Sequence, residues 1–197
     1  MKFEIFFSEV GKKKFPKYKL TRNGHTPYTP TPPKFLLYPL SKAVMAVLSN
    51  IDISNYAKLL NLPLIGVFCK DELPPKAKNG FYVVNMSNHN EDGSHWTFFG
   101  VIHGRCWYFD SFAAPPPTPV ETFLSPFKPI LYNTKQIQKL LGEYCGWTTL
   151  LAGRFMFHPL HKNLSLEKRM EEFLSLFSED QSRNEKIMEL ILARLMK

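Results

Sequence analysis

Residues 95–110 read His95-W-T-F-F-G-V-I-H-G-R-C-W-Y-F-Asp110 and decide the fold of this chain. Two runs rich in β-branched and aromatic residues flank His103 and Gly104, and such runs predict β-strands. Because His103 and Gly104 suit a tight turn, we expect an antiparallel hairpin. The two outer ends of a hairpin lie at the same end of a sheet. The sequence therefore predicts that His95 and Asp110 lie close together.

Similar apolar runs and helical patterns extend on both sides of this hairpin. The predicted strands are Leu64–Phe68, Phe81–Met86, His95–Ile102, Arg105–Phe109 and Phe127–Tyr132. Helices are predicted at Leu40–Asn50, at Asp52–Leu62 with Asp52 as N-cap, and at Glu143–Phe157, Ser165–Phe177 and Asn184–Met196. The proline-rich stretches Leu73–Lys78 and Ala113–Pro119 are predicted surface loops. The fold class is α+β, with a central mixed or antiparallel sheet flanked by helices.

Composition excludes several classes of protein. The chain has 197 residues, of which 44% are hydrophobic and 14% aromatic, enough for one domain with a sizeable core. Its three cysteines form no even set and no Cys-x-x-Cys pair, and the histidines show no ligand spacing. We therefore expect no disulfide framework, no metal site and no cofactor, in a reducing compartment. No secretory signal and no membrane-spanning run is recognised, so we expect a protein that is neither secreted nor in a membrane.

Positive charge is concentrated in the first 34 residues. This segment carries eight Lys or Arg residues against two Glu, whereas the remainder of the chain has 17 basic and 15 acidic residues. Thr26–Pro33 contains four prolines, which disfavour a helix or a central strand and predict an extended connector. We interpret residues 1–34 as a basic, proline-rich arm. Its charge is typical either of a solvated face or of a segment that binds DNA without sequence specificity.

Cys145 lies in the stretch Q138-K-L-L-G-E-Y-C-G-W-T-T-L-L, at the predicted start of an apolar helix. A helix N-terminus favours the thiolate, because its unpaired amides and its dipole stabilise negative charge and lower the thiol pKa. The following Gly146 leaves room for a substrate backbone. The alternative is that Cys145 is a small buried hydrophobic residue, which is common for free cysteines.

His95 and Asp110 supply the other groups that a thiol nucleophile requires. A histidine at a strand edge beside a polar loop can act as general base, and a carboxylate at the neighbouring strand end can accept its Nδ1 proton. Taken singly, each residue has a simpler interpretation: His95 as a surface or core histidine and Asp110 as a turn residue that ends a strand.

The order His95-Trp96, Asp110 at a strand end, Gln138 and then Cys145-Gly146 resembles the adenovirus-type maturation proteases (adenain) and the related SUMO- and ubiquitin-like-protein-specific proteases. The likeness runs from about Leu59 to Phe157 and includes L-I-G-V-F-C-K-D before the sheet, G-S-H-W, and the aromatic strand that ends in D-S-F. Similar sets occur in virophages and in Polinton-type transposons. The sequence departs from adenain in three places: residues 1–50 have no obvious counterpart, the stretch between Asp110 and Gln138 is proline-rich, and the helices after Phe157 are unfamiliar in that family.

The resemblance implies a papain-like cysteine protease superfamily fold with the nucleophile at a helix N-terminus. Residues 35–197 would form a single cysteine protease domain, with a catalytic core at about 59–158 and C-terminal helices at 165–197. Cys145 would attack, His95 would act as base and Asp110 would orient it. The Gln138 side chain would join the Cys145 amide in the oxyanion hole, with Gln136 as a competing glutamine of poorer spacing. Trp96, Gly146 and Trp147 would wall a narrow substrate channel.

The implied function is an endopeptidase that cleaves viral structural precursors during capsid maturation, after small residues such as glycine. It would act in the virion or in the host cytoplasm or nucleus. A deconjugating protease for ubiquitin-like modifiers is one alternative, and an inactive nucleic-acid-binding or scaffolding protein is another. Adenain uses a peptide cofactor held by a disulfide, which we do not transfer; Cys69 and Cys106 are assigned to packing. The sequence does not predict the oligomeric state.

Overall fold

The computed structural model describes residues 47–195, with side chains through residue 194. The predicted arm at 1–34 and most of the predicted helix at Leu40–Asn50 lie outside the described residues. Residues 47–188 belong to one compact unit, and residues 189–195 continue the last helix in a second unit. No helix in the described part of the chain is long and apolar enough to span a bilayer.

The described residues form an α+β fold around one five-stranded mixed sheet, as predicted. Strand order follows the sequence: β1 is parallel to β2, β2 to β4 are successively antiparallel, and β5 is parallel to β4. The strands are β1 (Leu64–Cys69), β2 (Gly80–Asn85), β3 (Trp96–Ile102), β4 (Arg105–Phe109) and β5 (Ile130–Tyr132).

The predicted hairpin is confirmed as β3 and β4. His103 and Gly104 adopt φ values of 49° and 77°, the left-handed conformation that two-residue hairpin turns require. Gly100 has a separate packing reason, because a Cβ atom there would lie 2.3 Å from the Trp107 ring. The strand glycine therefore lets a fully buried indole lie across the hairpin.

The described residues also contain five helices, with two short 3₁₀ turns at Ser125–Phe127 and Pro159–His161. The helices are α1 (Asn50–Leu59), α2 (Thr118–Leu124), α3 (Cys145–Met156), α4 (Leu166–Leu174) and α5 (Gln181–Leu195). Helix α2 packs Val120 and Leu124 into an apolar cluster on one face of the sheet. Helix α3 lies along β3, and its Gly153 accommodates the Phe81 ring, because a Cβ there would come within 2.6 Å of it.

Several predicted boundaries are wrong for local reasons. Ser49, not Asp52, is the N-cap of α1. Asp52 is the third residue of the helix, and its carboxylate completes a capping box by accepting from Ser49 N at 3.0 Å. Strand β5 is shorter than predicted because residues 125–127 form a 3₁₀ turn. Helix α2 was not predicted, and its first two residues fall in the predicted loop Ala113–Pro119; proline is tolerated in a first helical turn, where Pro119 lies.

Candidate active site

The hairpin brings His95 and Asp110 together. His95 immediately precedes β3, Asp110 immediately follows β4, and the two strands are paired in antiparallel register. His95 Nε2 lies 2.8 Å from Asp110 Oδ1, with 13% and 4% of the two side chains exposed. The predicted contact between the two side chains is confirmed. The prediction that Nδ1 faces the carboxylate is wrong, because the nitrogen that faces Asp110 is Nε2.

The Asn133 side chain forms hydrogen bonds with the backbone of Asp110. Its Oδ1 accepts from Asp110 N at 3.0 Å, and its Nδ2 donates to the Asp110 carbonyl at 2.7 Å. Asn133 is 1% exposed and also donates to Lys135 O at 3.2 Å. Asn133 was not predicted from the sequence. The available signal was its place just after β5, because the carboxyl ends of neighbouring parallel strands meet at one sheet edge.

Phe112 lies flat against the His95 ring. The ring centroids are 4.3 Å apart with an interplanar angle of 18°. The Phe112 amide also donates to Asp110 Oδ1 at 2.7 Å, so one residue contacts both the imidazole and its carboxylate partner. An aromatic face attracts a cation, so this stacking favours the charged form of the imidazole.

Cys145 is the first residue of α3 and is 8% exposed. Its thiol makes a side-chain hydrogen bond with His95 and receives backbone hydrogen bonds from Trp96 and Gly146. Burial alone would raise the pKa of Cys145. The hydrogen bond to His95, the two amides and the positive charge of His95 outweigh it, and the pKa lies below its usual value.

The pKa of His95 moves in the opposite direction. Burial alone would lower it, but hydrogen bonds to Asp110 and Cys145 and the charges of both partners raise the pKa to about 9. A thiol with a lowered pKa beside an imidazole with a raised pKa favours proton transfer from sulfur to nitrogen. The two shifts together favour the thiolate–imidazolium pair over the neutral pair, and the two groups titrate as a coupled unit.

The other two cysteines have raised thiol pKa values, in contrast to Cys145. Cys106 is 2% exposed, its Sγ donates to Phe127 O at 3.5 Å, and burial raises its pKa to about 11. Cys69 is half-buried, and its pKa is raised by burial and then by Glu72. All three cysteines are free of disulfides. No group of three or more His, Cys, Asp or Glu side chains that could hold a metal occurs within residues 47–195.

Gln138 lies against the chain segment that follows Asp110. It is 3% exposed; its Oε1 accepts from Ser111 Oγ at 2.7 Å, and its Nε2 donates to the Gly142 carbonyl. The competing Gln136 donates its Nε2 to the Gln138 carbonyl at 2.7 Å. The carboxamide of Gln138 is thus fixed at both ends, and its role as an oxyanion donor stays a prediction.

The predicted substrate-lining residues have packing contacts of their own. Half-buried Trp96 donates its Nε1 to the Leu48 carbonyl at 2.8 Å. A Cβ atom on Gly146 would meet the Leu48 side chain at 3.0 Å, so this glycine makes room for Leu48. Trp147 is 3% exposed and packs on Tyr56, with ring centroids 4.6 Å apart. Their role in substrate binding stays a prediction.

Comparisons with known proteins give limited similarity. No protein-family model and no curated protein sequence matches the chain. A crystal structure of the ASFV pS273R protease matches with 16% identity and a TM-score of 0.44, covering 74% of this chain and 67% of that one. A crystal structure of the Se-Met ASFV pS273R protease matches with 22% identity and a TM-score of 0.35, covering 56% and 43%. Similarity at these values does not identify the reaction.

Proposed function

We propose that this chain is a cysteine protease in which Cys145 is the nucleophile, His95 the general acid and base, and Asp110 the group that orients His95. The observation that carries the proposal is the continuous contact from the Cys145 thiol through the His95 ring to the Asp110 carboxylate. The pKa of the thiol is lowered and that of the imidazole is raised, as a nucleophile and its proton carrier require.

The first half of the reaction forms an acyl-enzyme. The Cys145 thiolate attacks the carbonyl carbon of a peptide bond, a C–S bond forms, and the carbonyl electrons move onto oxygen. Gln138 and the Cys145 amide donate to that oxygen. As the intermediate collapses, the C–N bond breaks and the His95 imidazolium gives its proton to the leaving amine.

The second half releases the acid. Neutral His95 takes a proton from water, and the resulting hydroxide attacks the thioester carbon. The C–S bond then breaks, the carboxylic acid leaves, and the Cys145 thiolate beside the His95 imidazolium is restored. Asp110 keeps its charge throughout and stabilises the imidazolium through Nε2.

The chemical class is tested by labelling with a thiol-reactive electrophile at neutral pH. Cys145→Ala is expected to remove the labelling, and Cys69→Ala is the matched control, because it deletes a more accessible cysteine whose pKa is raised. Labelling that persists in Cys145→Ala and disappears in Cys69→Ala would contradict the proposal. A wild-type protein that neither labels nor cleaves any peptide would instead support an inactive nucleic-acid-binding or scaffolding protein.

For the substrate, we propose a viral structural precursor protein that is cut during capsid maturation after a small residue such as glycine. The support is the ordered set of motifs around His95, Asp110, Gln138 and Cys145, which resembles maturation proteases. The test offers the purified chain a structural precursor of the element that encodes it and, in parallel, a panel of ubiquitin-like conjugates. Exclusive cleavage of the conjugates would replace this proposal with that of a deconjugating protease.

A further inference from the structure

Ser111 connects the segment after β4 to Ile137 and Gln138 by three hydrogen bonds, of which two go to Gln138. Its carbonyl accepts from Ile137 N at 3.0 Å and from Gln138 N at 3.1 Å. Its hydroxyl donates to Gln138 Oε1 at 2.7 Å. Ser111 is 1% exposed, so no solvent competes for these contacts. One residue therefore fixes both the backbone and the side chain of Gln138.

The two ends of the Gln138 carboxamide are assigned by their partners. The Gly142 carbonyl can only accept, so the atom that faces it is Nε2. The atom that faces Ser111 is consequently Oε1, and the serine hydroxyl is the donor. The amide nitrogen carries two protons, of which the Gly142 carbonyl takes one. The other remains for a further acceptor.

We propose that Ser111 is a positioning residue that acts through Gln138, holding its carboxamide so that the NH₂ group, rather than the oxygen, serves the oxyanion. The inference rests on the proposed function. Without the hydroxyl, Oε1 loses its partner and the carboxamide can rotate by half a turn or leave its place. An oxygen turned toward the developing oxyanion would repel it.

The placement of Ser111 also joins the two halves of the site. Asp110 anchors His95, and the next residue in the chain anchors Gln138. Asn133 holds the Asp110 backbone on both its N–H and its C=O, so this two-residue segment is fixed from the other side as well. The proton carrier and the oxyanion donor therefore share one support.

The first test is the steady-state kinetics of Ser111→Ala. Its kcat is expected to fall about 10-fold with KM unchanged, since one neutral hydrogen bond shifts an equilibrium by roughly that factor. The pH profile of Cys145 alkylation is expected to stay as in the wild type, because Ser111 does not contact the thiolate pair. Ser165→Ala is the control: it removes the hydroxyl that caps α4 away from the site, and is expected to lower the melting temperature while keeping kcat.

A double-mutant cycle separates positioning from a general structural role. In a Gln138→Ala background, Ser111→Ala is expected to lower kcat no further, because the side chain on which it acts is absent. An equal loss in both backgrounds would overturn the inference, and so would a wild-type kcat in Ser111→Ala. An active enzyme that depends on Cys145 but ignores Ser111 would reject this inference alone and leave the proposed function intact.

A measurement that needs no activity completes the test. In the wild type, the side-chain NH₂ of Gln138 is expected to give two resolved, slowly exchanging proton signals in a ¹⁵N-labelled sample. Ser111→Ala is expected to speed their exchange with solvent and to move their chemical shifts toward those of a solvent-exposed glutamine. If these signals are unchanged in the variant, Ser111 does not position the carboxamide, whether or not the chain proves to be a protease.

Discussion

Replacing Asp110 by asparagine is the most direct test of the charge arrangement in the site. The substitution is isosteric, and an asparagine Oδ1 can still accept from His95 Nε2 and from the Phe112 amide. What disappears is the negative charge 2.8 Å from the ring nitrogen. We therefore expect the fold and the His95 position to be kept, while the imidazolium loses its strongest stabilising neighbour.

The size of the effect follows from the burial of the pair. For charge centres about 4 Å apart, the Coulomb attraction is about 4 kcal/mol at an effective dielectric constant of about 20, and a nearby opposite charge moves a pKa by about 1–3 pH units. The pKa of His95 in the wild type is raised to about 9. In Asp110→Asn we expect the pKa of His95 to fall by about 1–3 pH units, toward the ordinary value for histidine.

The sign of the pH effect is fixed by the acid role of His95. Above the pKa of His95 the imidazolium is lost, so kcat/KM is expected to decline as the pH rises through about 9 in the wild type. In Asp110→Asn this alkaline limb is expected to begin about 1–3 pH units lower. At pH 8 the variant therefore loses a larger share of its activity than at pH 6.

The assay is kcat/KM between pH 5 and 10 on a cleavable peptide, together with the rate of Cys145 alkylation over the same range. Asp71→Asn is the matched control, because Asp71 makes the same 2.8 Å contact with the exposed His89, far along the chain from Asp110. It is expected to leave the alkaline limb where it is. An alkaline limb that stays near pH 9 in Asp110→Asn would refute the reasoning.

Three further predictions concern the catalytic pair, the anchoring of Asp110 and the basic arm. Cys145→Ala and His95→Ala are each expected to abolish turnover with the fold retained, because the two side chains act as a unit; circular dichroism and peptide hydrolysis check this. Asn133→Ala is expected to destabilise the protein by roughly 2–3 kcal/mol in urea unfolding, because it leaves the buried Asp110 N–H without its partner. If residues 1–34 bind DNA through their positive charge, that affinity is expected to weaken steeply between 50 mM and 200 mM salt, and an affinity independent of salt in a filter-binding titration would contradict an electrostatic arm.

The contact between His95 and Asp110 was predictable because it depends on local rules. A turn pair with positive φ sets the hairpin, the hairpin sets the register, and the register brings the two ends to one place. The arrangement needed no knowledge of any other part of the chain. For the same reason, the bounds of β4 were predicted without error.

The choice of ring nitrogen was not predictable in this way. It depends on the side-chain torsions of His95, whose ring contacts Asp110 and Cys145 at its edges and stacks on Phe112 with one face. The contact of Leu48 with Trp96 and Gly146 was equally hidden, since it joins positions about 50 and 100 residues apart in sequence. Sequence periodicity reports which residues are buried, and carries no information on which distant segment covers them.

The position of Cys145 at a helix start was predictable, whereas its ionisation depends on tertiary contacts. Cys106 and Cys145 are both buried cysteines of the same chain, yet burial raises the pKa of Cys106 to about 11 and the pKa of Cys145 is lowered. Cys106 is surrounded by apolar side chains and the Phe127 carbonyl, and none of these groups can stabilise an anion. Cys145 faces a cationic imidazole and two amide donors. Desolvation disfavours charge at both positions, so the neighbouring groups decide which of the two sulfurs becomes an anion. Those groups lie at the ends of β3, β4 and α3.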